Sequence, residues 1–168
     1  AFFSSYLAVR YALYLFGKPQ RHTTPKREVS FYEAAKSNRI FVPTVRKHIQ
    51  LYQLGSSEKK ILLVHGWSGR GTQLYKIAKK LVDEGFEILS FDGPAHGDSS
   101  GNHTIFEEFV ETVLYLNHTQ GKFQAAIGHS FGGMILLNAI HRGMILDKFT
   151  IISSGNKVED VIKSFVKN

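Results

Sequence analysis

From residue 60 onward the chain repeats one alternation: a short apolar run, a turn, then a longer stretch with apolar residues at helical spacing. The runs are "KILLVHG" (60–66), "FEILSFDG" (86–93), "KFQAAIGHS" (122–130) and "DKFTIISS" (147–154). Between them lie "TQLYKIAKKLVDEG" (72–85), which Gly85 should stop, "TIFEEFVETVLYLNH" (104–118) and "FGGMILLNAIHRG" (131–143). Thr104 is the expected N-cap of the second of these, with Glu107 three residues on. A last helix is expected over "VEDVIKSFVK" (158–167). Strands apolar on both faces, alternating with helices through short links, predict an α/β fold: a doubly wound, mostly parallel sheet with helices on both faces.

Upstream the signals are weaker. "SFYEAAKSN" (30–38) reads as a short helix, and "RIFVPTVRKHIQLYQLG" (39–55) as one or two strands broken near Pro43. The segment "GKPQRHTTPKRE" (17–28) is a basic linker marked by Pro19 and Pro25. This divides the chain into an apolar helix plus linker (1–28) and a core (29–168). In the opening "AFFSSYLAVRYALYLFGKP", Arg10 interrupts uncharged stretches shorter than the roughly 20 residues of a membrane span. The expectation is a helix packed on the domain. The basic residues after it make membrane association through residues 1–16 the alternative.

At 168 residues and 43% hydrophobic content, the chain can bury one real core. The absence of cysteine excludes disulfides, zinc–thiolate sites and cysteine nucleophiles, and fits a reducing, cytoplasmic setting. The net charge of +7 raises the question of nucleic acid. No basic–aromatic RNA-binding motif or zinc-finger spacing accompanies it, so a solvated basic surface is expected.

In a parallel sheet the C-terminal strand ends share one edge. Here they carry "HGWSGRG", "FDGPAHGDSSG" and "GHSFGG". The last places Ser130 between Gly128 and Gly132 at a strand-to-helix junction. A side chain projects from the top of a sheet there only if the backbone bends sharply, and neighbours two residues away must then be small. Ser130 is therefore the candidate nucleophile. Helix N–H groups beginning at Phe131 are ready donors for an oxyanion. The stretch "GWSGRGT" (66–72) approaches a phosphate-binding loop, but Thr72 stands where that loop needs lysine. The other use of this loop pairs the Trp67 N–H with the Phe131 N–H as an oxyanion hole, with Gly66 and Gly69 allowing close approach. Asp92, His96 and Asp98 could be read as metal ligands. The preferred reading is that Asp92 accepts turn N–H bonds and His96 fixes its loop over the site, with no metal. His65, His96 and His129 are candidates to line the cleft, His65 being hydrogen-bonded at the end of a buried strand.

The three motifs, in this order on alternating strands and helices, resemble the α/β-hydrolase fold superfamily, in particular bacterial serine hydrolases of the esterase and lipase type. The resemblance covers roughly residues 45–165. It implies Ser130 as nucleophile, Trp67 and Phe131 as the oxyanion-hole residues, Gly128 and Gly132 as elbow support, and no cofactor. The implied reaction is attack on a small-molecule carboxylic ester or related acyl substrate, an acyl-enzyme, then hydrolysis. Serine at this position argues against the aspartate-based dehalogenase and epoxide hydrolase chemistry of the same fold. A thioesterase, a peptidase, a C–C hydrolase and a catalytically silent binding protein stay open. The family's acid and histidine follow the serine in sequence. After Ser130 come only His141, Asp147, Glu159 and Asp160. His141 should lie about 15 Å along the helix from the site, and Asp147 at the wrong edge of the sheet. Glu159 or Asp160, just past the fourth strand, are conceivable acids. No triad acid is identified and no suitable base is present, so the expectation is the front part of a longer chain, inactive alone.

Overall fold

The computed structural model describes residues 2–154, and the side chains of residues 6–154. The helix expected over 158–167, with Glu159 and Asp160, lies outside the described residues. Eleven elements follow in order: α1 (Phe2–Phe16), α2 (Lys26–Ala34), β1 (Lys36–Val42), β2 (Lys47–Leu54), β3 (Lys60–Val64), α3 (Tyr75–Asp83), β4 (Glu87–Phe91), α4 (Phe106–Thr119), β5 (Ala125–His129), α5 (Phe131–His141) and β6 (Lys148–Ile152). They form one six-stranded sheet in the order β1-β2-β4-β3-β5-β6. The four strands β4, β3, β5 and β6 are parallel, while β1 and β2 add an antiparallel flank.

Side-chain alternation along β3 shows why both faces must be covered. Leu62 and Val64 enter one apolar cluster with Phe109, Val113 and Leu116 of α4 and Ile135 and Leu136 of α5. Ile61 and Leu63 enter the other with Phe31 of α2 and Ala78 of α3. Successive strand residues point to opposite faces, so an all-apolar strand needs a helix layer on each side. The expected doubly wound, mostly parallel sheet is the one observed. Residues 39–55 form two strands, with the turn at 43–46.

Three local expectations differ from the structure. The helix expected over 30–38 runs instead from Lys26 to Ala34, after Pro25, whose φ of −63° suits a helix start. Residues 36–38 are drawn into β1 because they pair with Gln53, Tyr52 and Leu51 of β2. Thr104 does not cap α4. The N-cap is Ile105, without a side-chain bond. The Thr104 hydroxyl instead donates to Glu108 (2.8 Å), which is also ion-paired with the half-buried Lys47, and Glu107 is drawn away to Arg142. Finally, among the described side chains of α1, the ring contacts with the rest of the fold lie at its C-terminal end. Tyr14 stacks on His103 and Phe16 on Trp67, whereas Tyr6, Leu7, Val9 and Tyr11 are more than half exposed. A helix apolar on every side cannot turn all its faces to one surface. Among the described residues no helix is long and apolar enough to cross a membrane.

The segment before the sheet is tied to it by Glu28, buried at 2% exposure. Glu28 accepts a hydrogen bond from the Thr72 hydroxyl at 2.7 Å and lies 3.7 Å from Arg70 Nε. Removing a buried partner leaves the others uncompensated, whereas exposed pairs such as Lys80–Glu84 contribute little. Urea unfolding should therefore show Glu28→Ala costing about 3 kcal/mol. Lys80→Ala should change stability by no more than about 0.5 kcal/mol.

Candidate active site

The strands β3, β4 and β5 deliver their following loops to one edge of the sheet, and the site is built where those loops meet. At the end of β5 the chain enters α5 through Ser130, whose φ of 52° and ψ of −122° lie in a region that side chains other than hydrogen rarely adopt. Such a conformation costs about 1–3 kcal/mol and persists only where the surroundings dictate it. Here they do. A Cβ on Gly128 would sit 2.6 Å from the Gly132 carbonyl oxygen, and one on Gly132 would strike the Val64 carbonyl and come 2.5 Å from that of His65. The kink is pinned further because the Ser130 N–H donates to the Ile152 carbonyl of β6 at 2.8 Å.

The loop after β3 closes against this kink. A Cβ on Gly66 would lie 3.2 Å from Ser130 Cβ, so Gly66 faces the serine and Trp67 follows directly. The indole of Trp67 is held edge-to-face by Phe131 at 5.2 Å and by His96 at 5.1 Å. Phe109, from the buried face of α4, packs edge-to-face on His65, His96 and Phe131 together. The structure thus gathers Ser130, Trp67, Phe131, His65 and His96, with Gly128 and Gly132 behind them. His129 is half-buried beside Gly66, and its Nδ1 finds no hydrogen-bond partner among the described residues. His141 stands at the far end of α5, and Asp147 precedes β6, both away from the serine.

The two buried histidines have fixed roles. His65 meets the Gly66 carbonyl through Nδ1 at 2.7 Å and accepts the Gly93 N–H at Nε2 at 2.9 Å. His96 meets the Pro94 carbonyl through Nδ1 and accepts the Ser68 N–H at Nε2 at 3.1 Å. One nitrogen must donate and the other accept, which only a neutral imidazole does. Burial pushes in the same direction, lowering His65 to about 3 and His96 to about 4. With both nitrogens committed, neither ring is free to act as a general base.

Asp92 organises the loop after β4. Its carboxylate accepts the N–H groups of Gly71 (2.6 Å) and Asp98 (2.8 Å) and the hydroxyl of Tyr52 (2.9 Å). Burial outweighs these donors and lifts its carboxyl above the ordinary range. Burial, with Asp92 next, raises Tyr52 as well. Asp92 and His96 are therefore loop-holding groups, as their setting in a polar turn implies. Phe109, Tyr52 and the residues of the 16–21 segment were not legible as site residues. An aromatic on an apolar helix face looks like any core position.

A family model described as "alpha/beta hydrolase fold" matches residues 59–159. Over 121 residues the chain is 26% identical to Uncharacterized hydrolase YugF of Bacillus subtilis, covering 69% of this chain and 44% of that one. Over 107 residues it is 27% identical to the pimeloyl-acyl-carrier-protein methyl ester esterase of Vibrio cholerae, covering 63% and 41%. Among solved structures, an esterase from Exiguobacterium antarcticum superposes with a TM-score of 0.67 at 15% identity, covering 79% of this chain and 55% of that one. At that identity the likeness is one of fold. The chain spans less than half the length of the two curated relatives.

The neutral imidazoles fix the sign of a pH effect. Both folded-state values lie below the ordinary 6.5, so the unfolded chain takes up protons first as pH falls. Their contribution to stability is complete above about pH 6.5 and declines toward pH 4. Asp92, raised instead, acts with the opposite slope. His96→Gln keeps a donor and an acceptor but cannot ionise. Urea unfolding at pH 7 and pH 5 should show a smaller acid loss in His96→Gln than in the parent; an equal or larger loss would contradict the assignment.

Proposed function

Because the chain belongs to the alpha/beta hydrolase fold family, we propose that it carries the nucleophile of a serine hydrolase, with Ser130 attacking the carbonyl of a carboxylic ester. The observation that carries this reading is the backbone of Ser130, held at positive φ where Gly128 and Gly132 leave no space for a side chain. Its ψ of −122° puts it outside the small left-handed region that side chains tolerate, in a conformation where glycine is the ordinary occupant. Serine there bears a conformational cost that a projected hydroxyl accounts for.

In the proposed reaction Ser130 Oγ adds to the ester carbon, and negative charge develops on the carbonyl oxygen. The N–H of Phe131 begins α5, and the N–H of Trp67 belongs to the loop that faces the serine across Gly66. Two preorganised amide donors aimed at that oxygen lower the barrier most where water is excluded, and the ring cluster around Trp67 and Phe131 supplies apolar walls. Collapse expels the alcohol and leaves an acyl group on Ser130, which water then removes. Among acyl substrates we favour a carboxylic ester, the class on which the Vibrio cholerae relative acts by name. The base that takes the serine proton must come from residues other than His65 and His96, whose nitrogens are occupied.

An uncharged alkyl fluorophosphonate reports the nucleophile directly. The full-length protein should be labelled covalently, while Ser130→Ala should show no labelling above background. Equal labelling of both would remove Ser130 from the mechanism.

A further inference from the structure

Between α1 and α2 the chain crosses the same edge of the sheet that bears Ser130, and it touches both loops that flank the serine. Phe16 stacks face to face on Trp67, with ring centres 5.2 Å apart and planes 4° from parallel. The N–H of Gln20 donates to the Ser68 hydroxyl at 3.0 Å. The carbonyl of His22 accepts from Arg70 Nη1 at 2.8 Å. On the other loop, Arg21 donates to the carbonyls of Ala95 (3.1 Å), Ser99 (2.6 Å) and Gly101 (2.8 Å). The carbonyl of Gly17 accepts the Thr104 N–H at 2.8 Å. The His103 ring fills the space where a side chain on residue 17 would go.

These contacts converge on the loop that carries the Trp67 N–H. Trp67 stands between Gly66 and Gly69, and Ser68 beside it sits at a φ of 54°. The carbonyl of the Gly66–Trp67 peptide meets His65 Nδ1 and the Gly69 N–H, and the rings that grip the indole restrain the same residue through its side chain. His96 and Phe131 meet that ring edge-to-face, and Phe16 stacks against it. An oxyanion donor displaced by a fraction of an ångström loses much of its effect. We infer that the strap formed by residues 16–21 is a working part of the acyl-transfer site, with Phe16 a positioning residue that acts through Trp67. The inference rests on the proposed role of Ser130 and goes beyond it, because it assigns a catalytic consequence to a segment that precedes the sheet.

The test compares the full-length parent with Phe16→Ala, Phe16→Tyr and Ser130→Ala. The readouts are the second-order rate of labelling by an alkyl fluorophosphonate, steady-state kinetics on p-nitrophenyl acetate, and the thermal unfolding midpoint. Labelling joins Ser130 Oγ to phosphorus as fluoride leaves with the hydroxyl proton. Loss of the stacking ring should slow labelling and kcat by about tenfold, a part of what deleting an oxyanion donor costs. KM should change by less than about twofold, as expected for an interaction made only in the transition state. Phe16→Tyr, which keeps the ring, should restore the parent rate, and the unfolding midpoint should hold in all variants. Parent-like rates in Phe16→Ala would overturn the inference and leave the Ser130 reading standing. A Phe16→Tyr variant as slow as Phe16→Ala, or slowing matched by a lowered unfolding midpoint, would also overturn it, because packing alone would then explain the loss. A parent that does not label, or labels as well without Ser130, would remove the inference together with the reading beneath it.

Discussion

Close backbone packing at the end of β5 is the constraint on which the rest of the site depends. Gly128 lies against Gly132 and Gly133, and Gly132 lies against the carbonyls of Val64 and His65. The central strand, the strand bearing the serine and the first turn of α5 are thereby pressed together with no side chain between them. Ser130 lies between these contacts, at a φ of 52°. The same contact brings the loop after β3 against the first turn of α5. Steric exclusion thus sets the bend at Ser130 and the close approach of the loop after β3 to the start of α5.

Around that contact, polar groups are used to hold loops. His65 ties the first loop to the second through Gly93, and His96 returns the tie through Ser68. Asp92 joins both loops to β2 through Gly71, Asp98 and Tyr52. Each of these side chains is buried and saturated with backbone partners, which suits them to rigidity and leaves no spare nitrogen for proton transfer. Rigid support of this kind is what a site built on loops requires, because loops by themselves give poor positional precision.

The parallel sheet and the serine turn were legible in the sequence because both follow from local rules. Apolar runs such as 60–64 admit few environments, and glycines two residues on either side of Ser130 have few other uses. The misread features all depended on distant residues. Residues 36–38 became strand through pairing with β2, and Thr104 gave up its cap because Lys47 draws Glu108 into reach. Phe16 carries no local mark of its partner, since Trp67 is far away in sequence. Spacing reveals what a residue does to its neighbours in the chain, and it is silent on which surface an apolar helix end will meet.

The central claim is geometric, so a structure tests it most directly. A crystal structure of the full-length protein carrying the phosphonyl adduct would fix the oxygen that mimics the oxyanion. The account predicts phosphorus bonded to Ser130 Oγ, with that oxygen about 3 Å from the backbone nitrogens of both Trp67 and Phe131. An adduct on another side chain, or an oxygen turned away from both amides toward solvent, would contradict it.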